Sequence, residues 1–391
     1  MTQSPRVPRI VDNDYTRDAA DMRRAFASER TGAELKHVAS GTIDPATLPG
    51  NIENFFGVAQ VPMGLAGPIR INGEHAQGDF YVPLATTEGT LVASYNRGMR
   101  LLGEAGGVKT TVVERYMQRA PVFHFSDARE ARAFGEWVEA NIDAIREVAE
   151  GTTSVGKLHH VQRFNVAQMC FLRFNYETGD AAGQNMSGKA TYAACEWIKA
   201  NAPMAERYTL SGAIDTDKKH SQMNMMHSRG ARVVAEAVIP DQLMRDLMGP
   251  STAAMFRGRL VSNVGGMLSG TVNNGMHSAN GLTALFIATG QDVANIAESH
   301  AAMTFVELLE NGDYYWSITI PSLIVATYGG GTGLATQREC LELLGCYGKG
   351  KVEKFAEICA ATVLAGEISL AAAVLHGDWV SSHDKYGRNR P

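Results

Sequence analysis

The chain has 391 residues, 45% hydrophobic and 20% charged, with a net charge of −5. That is the composition of a globular protein long enough for two or three domains, and its acidic balance gives no broad basic surface for nucleic acid or an anionic membrane. No uninterrupted apolar run approaches the roughly 18 residues of a membrane span, and the N-terminal MTQSPRVPRIVDNDYTRD lacks the apolar stretch of a secretion signal. The five cysteines are odd in number and show no CxxC spacing, which argues against a disulfide framework or a cysteine zinc site and suits a reducing compartment. A cytoplasmic enzyme or binding protein is expected.

In chain order, residues 15 to 40 read as one or two polar amphipathic helices. TIDPATLPGNIENFFG and VPMGLAGPIRING follow, with the alternation and turn formers of short strands. LVASYNRGMRLLGE, residues 91–104, reads as a helix opening just after TTEG. Next come the strand KTTVVERY, the charged helix SDAREARAFGEWVEANIDAIREVAEG, the strands KLHHVQRFNV and QMCFLRFNYE, and the helix KATYAACEWIKANA. Across 108–210 the order is strand, helix, strand, strand, helix, strand, that of a split βαβ unit, as if a compact domain were inserted between TTEG and DTDKK. ARVVAEAVIP reads as a strand. Beyond it the chain reads as glycine turns and buried helices, namely SANGLTALFIATG, RECLELLG and KFAEICAATVLAGEISLAAAVLHG.

Several stretches could carry chemistry. SGAIDTDKKHSQMN packs two aspartates and two lysines into positions 215–219. A solvated loop looks like this, yet it directly precedes an apolar strand. In GDAAGQNMSGKAT, Gly183, Gly188 and Lys189 fit GxxxxGK, the phosphate-cradling loop of nucleotide hydrolases, but Ala190 stands where a hydroxyl should hold magnesium. The broader reading is a glycine turn at a helix N-terminus presenting amides to an anion such as a dinucleotide pyrophosphate, set against an ordinary capped helix. TYGGGTG, 327–333, reads equally as a ligand turn or a buried one. Taken singly, Glu88 is a helix-start carboxylate, Asp292 an N-cap and His383 a solvated tail residue.

Together these stretches resemble one family. ENFFGVAQVPMGLAGPI, PLATTEGTLVASYNRG, GDAAGQNM, DTDKK, IATGQD, ATYGGGT, LAGEISL and SSHDK stand in the order and spacing of hydroxymethylglutaryl-coenzyme A reductases, from about residue 20 onward. The resemblance is to the eukaryotic and archaeal branch, without a membrane anchor. It implies an α+β fold: a helical N-terminal segment (1–56), a large substrate- and CoA-binding domain (57–119 and 211–391), and a small ferredoxin-like domain (120–210) that binds the nicotinamide cofactor. It implies a two-hydride reduction of an acyl-CoA thioester to an alcohol, at sites between subunits of a homodimer or higher homo-oligomer.

Residue roles carry over from the resemblance in the same way. Glu88, Lys218, Asp292 and His383 match the catalytic positions. Lys218 would face the oxyanion, Asp292 would hold it charged, Glu88 would act as general acid and His383 would protonate the departing thiolate. Arg119, Ser211, Asp217, Lys219, Asn280 and Leu370 match acyl-side positions, with Arg119 gripping the free carboxylate. Ser94, Asn96, Arg97 and Arg100 match the segment that contacts coenzyme A. Asp180, Ala181, Ala182, Gly183, Gln184 and Asn185 match the dinucleotide loop, with Thr153, Ser154 and Val155 nearby.

The chain also departs from the family's usual pattern. DAAGQN replaces DAMGMN, and His220, Ser221 and Gln222 replace Pro-Ala-Ala after the lysines. A substrate lysine expected before Gly265 is absent. Val261 or a neighbour takes its place, with Arg257 or Arg259 as candidate substitutes. These changes leave a related carboxyacyl thioester as the alternative substrate. Thr153-Ser154-Val155 lacks the arginine of NADPH-using members, and Lys157 is a point-charge substitute for its fork. NADPH is the expected hydride donor and NADH the alternative.

Overall fold

The structure, a computed structural model, describes residues 6–377. Helix α1 (Arg17–Thr31) starts on Thr16, whose hydroxyl accepts from the Ala19 amide, and stops at left-handed Gly32. A hairpin of β1 (Met63–Asn72) and β2 (Gln77–Ala85) leads into α2 (Leu91–Glu104). Then come β3 (Lys109–Arg119), β4 (Val122–His124), α3 (Ala128–Ala140), α4 (Ile142–Glu150), β5 (Lys157–Val166), β6 (Met169–Glu177), α5 (Gln184–Asn201) and β7 (Arg207–Thr209). The remainder holds α6 (Gln222–Met226), β8 (Gly230–Ile239), α7 (Asp241–Met248), α8 (Thr252–Ser269), α9 (Ser278–Thr289) and α10 (Ile296–Ser299). It ends with β9 (Met303–Leu308), β10 (Tyr314–Leu323), α11 (Ala335–Leu343) and α12 (Val352–His376). The class is α+β.

One antiparallel sheet runs β7-β4-β6-β3-β8-β10-β9, with β5 on the other edge of β6. Strand β3 joins its two halves: Lys109–Tyr116 pair with β8, and Met117–Arg119 pair with β6. Each half has its own core. Residues of α3, α4 and α5 pack on β6, around Phe123, Phe134, Phe174 and Tyr176. The larger core gathers β8, β10, α2, α9 and α12, around Trp316, Phe286 and Phe355. Arg119 therefore ends a strand at the seam between the two cores.

Local differences from the sequence reading have physical causes. The single charged helix expected over 126–151 breaks at Asn141, whose side-chain amide donates to the Trp137 carbonyl and competes with the helix ladder. Beyond residue 240 the sequence suggested only helices and turns, but β9 and β10 form there. Strand β10 lies between β8 and β9 and is buried along most of its length, so it lacks the polar alternation of a half-exposed strand. Helix α12 is apolar and long enough to cross a membrane by length and composition, yet it is mostly buried as the central helix of the larger core. It crosses α2 at Gly98, where a Cβ would fall 1.8 Å from the Ala365 carbonyl oxygen.

Candidate active site

The stretch before β8 is held in an unusual backbone shape. Ala213, Thr216 and Lys218 have φ of +67°, +57° and +53°, a region that costs a non-glycine residue about 1–2 kcal/mol. Two buried charged groups fix it. The Arg229 guanidinium, fully buried, bonds the Asp217 carboxylate at 2.5 Å, the Asp215 carbonyl at 3.3 Å and the Gln118 carbonyl at 3.2 Å. It also pairs with Glu298 at 3.3 Å, and Glu298 Oε1 accepts the Lys218 amide at 3.1 Å. Burial pushes the Glu298 carboxyl up, and the Arg229 charge opposes this. Asn224 closes the loop by donating to the Lys219 carbonyl at 2.8 Å. Of the three residues that replace Pro-Ala-Ala, Ser221 is the N-cap of α6, accepting the Asn224 amide.

This frame directs Lys218 outward. Its ammonium meets Asp292 Oδ2 at 2.8 Å, with both side chains partly exposed. The hydrogen bond that Lys218 donates to the Asp292 carboxylate is the main cause of a raised Lys218 pKa. Asp292 is also the N-cap that the sequence suggested, accepting the Ala294 amide at 3.0 Å. It follows the turn at Gly290 (φ +69°), where a Cβ would lie 2.3 Å from the Gly331 carbonyl oxygen. The turn Thr327–Gly333 thus lies directly against the segment that carries Asp292.

Asp292 lines a cleft of about 390 Å³ with Gly183, Gln184 and Asn185 at the start of α5, and with Gly330 and Thr332. Ala181 and Ala182 line it too. Left-handed Gly183 opens α5 with no side-chain cap, so beside the cleft the amides of the first turn have no side-chain acceptor, as anion binding at a helix start requires. The nucleotide-hydrolase reading fails on position: Gly188 and Lys189 lie inside α5, not in a loop before it. Gln184 Nε2 reaches from the start of α5 to Asp217 Oδ1 at 3.4 Å and Asn295 Oδ1 at 3.2 Å, and Asn295 in turn donates to Glu298.

The other expected positions divide between lining a cleft and supporting one. Asp180 does not line the cleft; its Oδ1 accepts the Lys351 and Val352 amides and so caps α12. Thr153 accepts from the Val155 and Gly156 amides, and the turn that includes Ser154 abuts Met186, since a Cβ on Gly156 would come 2.4 Å from its sulfur. Lys157 is paired with Glu150 at 2.8 Å. Ser211 Oγ and Arg119 both bond Asp215 Oδ2, at 3.0 and 3.3 Å. Lys219 is exposed and donates to the Asp217 carbonyl. Asn280 bonds the His277 ring at 2.9 Å, and Leu370 is half-buried on α12.

On the far side of α2, Asn96, Arg97 and Arg100 line a cleft of about 560 Å³ with Pro68, Arg70 and Asp79. Ser94 and Arg97 also bond Ser369 of α12, and Arg100 pairs with Glu104. Glu88 is exposed on the turn before α2; its carboxylate makes no hydrogen bond or ion pair to Lys218 or Asp292. His383 lies outside the described residues. Arg259 does not supply the missing surface charge: it lies on the buried face of α8, bonds the Asn274 carbonyl, and lines a small apolar cavity with Met255, Met276 and Trp316. Val261 is 73% exposed. Sequence reasoning did not single out Arg229 or Glu298. The one signal for Glu298 was a lone acid in the mild run ANIAESHAA.

Comparison with known proteins identifies the family. The family described as hydroxymethylglutaryl-coenzyme A reductase matches residues 19–388. The 3-hydroxy-3-methylglutaryl-coenzyme A reductase of Pyrococcus horikoshii is 43% identical over 98% of this chain and 94% of its own length. That of Methanocaldococcus jannaschii is 40% identical over 95% of this chain and 93% of its own. Among solved structures, the class II enzyme of Streptococcus pneumoniae bound to NADPH in open conformations superposes with a TM-score of 0.67 at 18% identity, covering 94% of this chain and 100% of that one; that likeness speaks for the fold alone. With the family match spanning nearly the whole sequence and the DTDKK lysine paired to the IATGQD aspartate in space, the chain belongs to the hydroxymethylglutaryl-coenzyme A reductase family.

Proposed function

We propose that this protein catalyses the NADPH-dependent four-electron reduction of 3-hydroxy-3-methylglutaryl-CoA to mevalonate and CoA. The observation that carries the reading is the Lys218–Asp292 pair at 2.8 Å on the wall of the cleft at the start of α5. NADPH supplies the hydrides, two molecules per thioester. The cleft suits its pyrophosphate by the amides at the start of α5 and the glycine turn opposite.

Each hydride attack places negative charge on the carbonyl oxygen. The Lys218 ammonium stabilises that charge, and Asp292 keeps it protonated and oriented. Glu88 donates the proton that converts the developing alkoxide to an alcohol. The thiolate of CoA leaves between the two reductions and takes a proton from His383. Arg119, Ser211 and Lys219 address the acyl carboxylate, and the α2 cleft with Asn96, Arg97 and Arg100 takes part of the CoA. Asp217 acts through Arg229, and Asn280 and Leu370 border the acyl side.

The active unit is a homodimer or larger homo-oligomer. An unpartnered apolar face of α8, with Met267 and Leu268 each more than 80% exposed, supports this. A cytoplasmic location suits five buried, unpaired cysteines.

The test is turnover of 3-hydroxy-3-methylglutaryl-CoA by the full chain with NADPH and with NADH. Two cofactors should be oxidised per CoA released, and Lys218→Ala should lose about 10²–10³-fold in kcat. No substrate-dependent oxidation with either cofactor overturns the reading.

A further inference from the structure

We propose that Asp215 is a specificity-determining residue: it supplies from within the protein the carboxylate that Arg119 and Ser211 would otherwise take from the acyl group. The inference rests on the acyl-CoA reading above and deepens it. Asp215 is 1% exposed, and its Oδ2 accepts from Ser211 Oγ at 3.0 Å and from Arg119 Nη1 at 3.3 Å. Both groups assigned to the substrate carboxylate therefore already share one buried anion. The geometry is durable, because the Asp215 carbonyl is itself held by buried Arg229 and its neighbour Thr216 bonds the buried Asn224.

A guanidinium paired with a buried carboxylate presents little net positive charge to a second one, and two carboxylates a few ångströms apart repel. Neither Arg259 nor Lys218 restores the balance. The expected lysine before Gly265 is absent, Arg259 is buried and committed to the Asn274 carbonyl, and Lys218 is paired with Asp292. Lys219 is the exposed ammonium left on this loop, donating only to a backbone carbonyl. Asp215 thus lowers the grip on a carboxylated acyl group and narrows the preference over acyl groups that lack the carboxylate.

The experiment is calorimetric binding to the full chain of two thioesters: 3-hydroxy-3-methylglutaryl-CoA, and the same acyl group without its carboxylate, 3-hydroxy-3-methylbutanoyl-CoA. Asp215→Asn keeps the shape and hydrogen-bonding oxygen and removes the charge. It should tighten Kd for the carboxylated thioester about tenfold, while Kd for the carboxyl-free one changes less than twofold. Asp215→Ser serves as a second variant, with circular dichroism melts reporting on folding, and should shift the preference in the same direction. An unchanged or weaker affinity of the folded variants for the carboxylated thioester overturns the inference and leaves the acyl-CoA reading standing. A wild-type chain that binds neither thioester overturns both.

Discussion

Asp292→Asn separates the two things that Asp292 does for Lys218. Asparagine is as good an N-cap as aspartate, so the bond from the Ala294 amide survives and the turn keeps its shape. What is lost is the charge 2.8 Å from the ammonium. The side chains are 41% and 45% exposed, so the pair is screened and contributes only about 0.5 kcal/mol to stability. For a chain of this size that is about 1 °C in Tm. The folded-state pKa of Lys218 is raised, so its contribution to stability is fully present below the unfolded value of about 10.4 and lost as pH rises through the folded value. The small gap between wild-type and variant melts should therefore be constant from pH 6 to about 9.

Catalysis responds differently. At neutral pH Lys218 stays charged in the variant, so any loss of rate there comes from orientation: about 10–10²-fold in kcat, or about 1.4–2.7 kcal/mol of barrier. On the alkaline side the limb of the kcat/KM profile that belongs to Lys218 should move to lower pH in the variant as the ammonium loses its acceptor. Steady-state rates across pH, paired with calorimetric melts, read both effects. A variant with kcat within twofold of wild type and an unmoved alkaline limb refutes the role given to Asp292.

Gln184→Met removes the side-chain bonds from the start of α5 to Asp217 and Asn295. It should cost about fivefold in kcat/KM with little change in melting, measured by steady-state kinetics in both substrates. Arg229→Met strips the buried partner from Asp217 and Glu298 and lets the left-handed loop relax. It should destabilise by about 3–5 kcal/mol in guanidinium titration. Gly98→Ala drives a methyl into the Ala365 carbonyl where α2 crosses α12. It should lose about 1–3 kcal/mol and lower Tm.

What could be read from the sequence was local, and what could not was the work of distant partners. The helix over 91–104 and the longer strands and helices of 108–210 were visible because their apolar periods and turn residues are contiguous, whereas the three-residue β4 was too short to show. Strand β10 was not, because a strand buried on both sides has no polar alternation. The lysine of DTDKK and the aspartate of IATGQD could be linked only through resemblance, being 74 positions apart (292 minus 218) and joined by one ion pair. The resemblance transferred the residues assigned to the substrate and said nothing of what holds them. Asp180 illustrates the difference: it stands in the dinucleotide loop by sequence and caps α12 in space. Arg229 and Glu298 are the converse, featureless in sequence and central in the structure. A buried guanidinium and a buried carboxylate fix one left-handed backbone turn, and that turn sets the direction of Lys218. The chemistry assigned to the lysine thus depends on an electrostatic frame whose members lie up to 80 residues away along the chain.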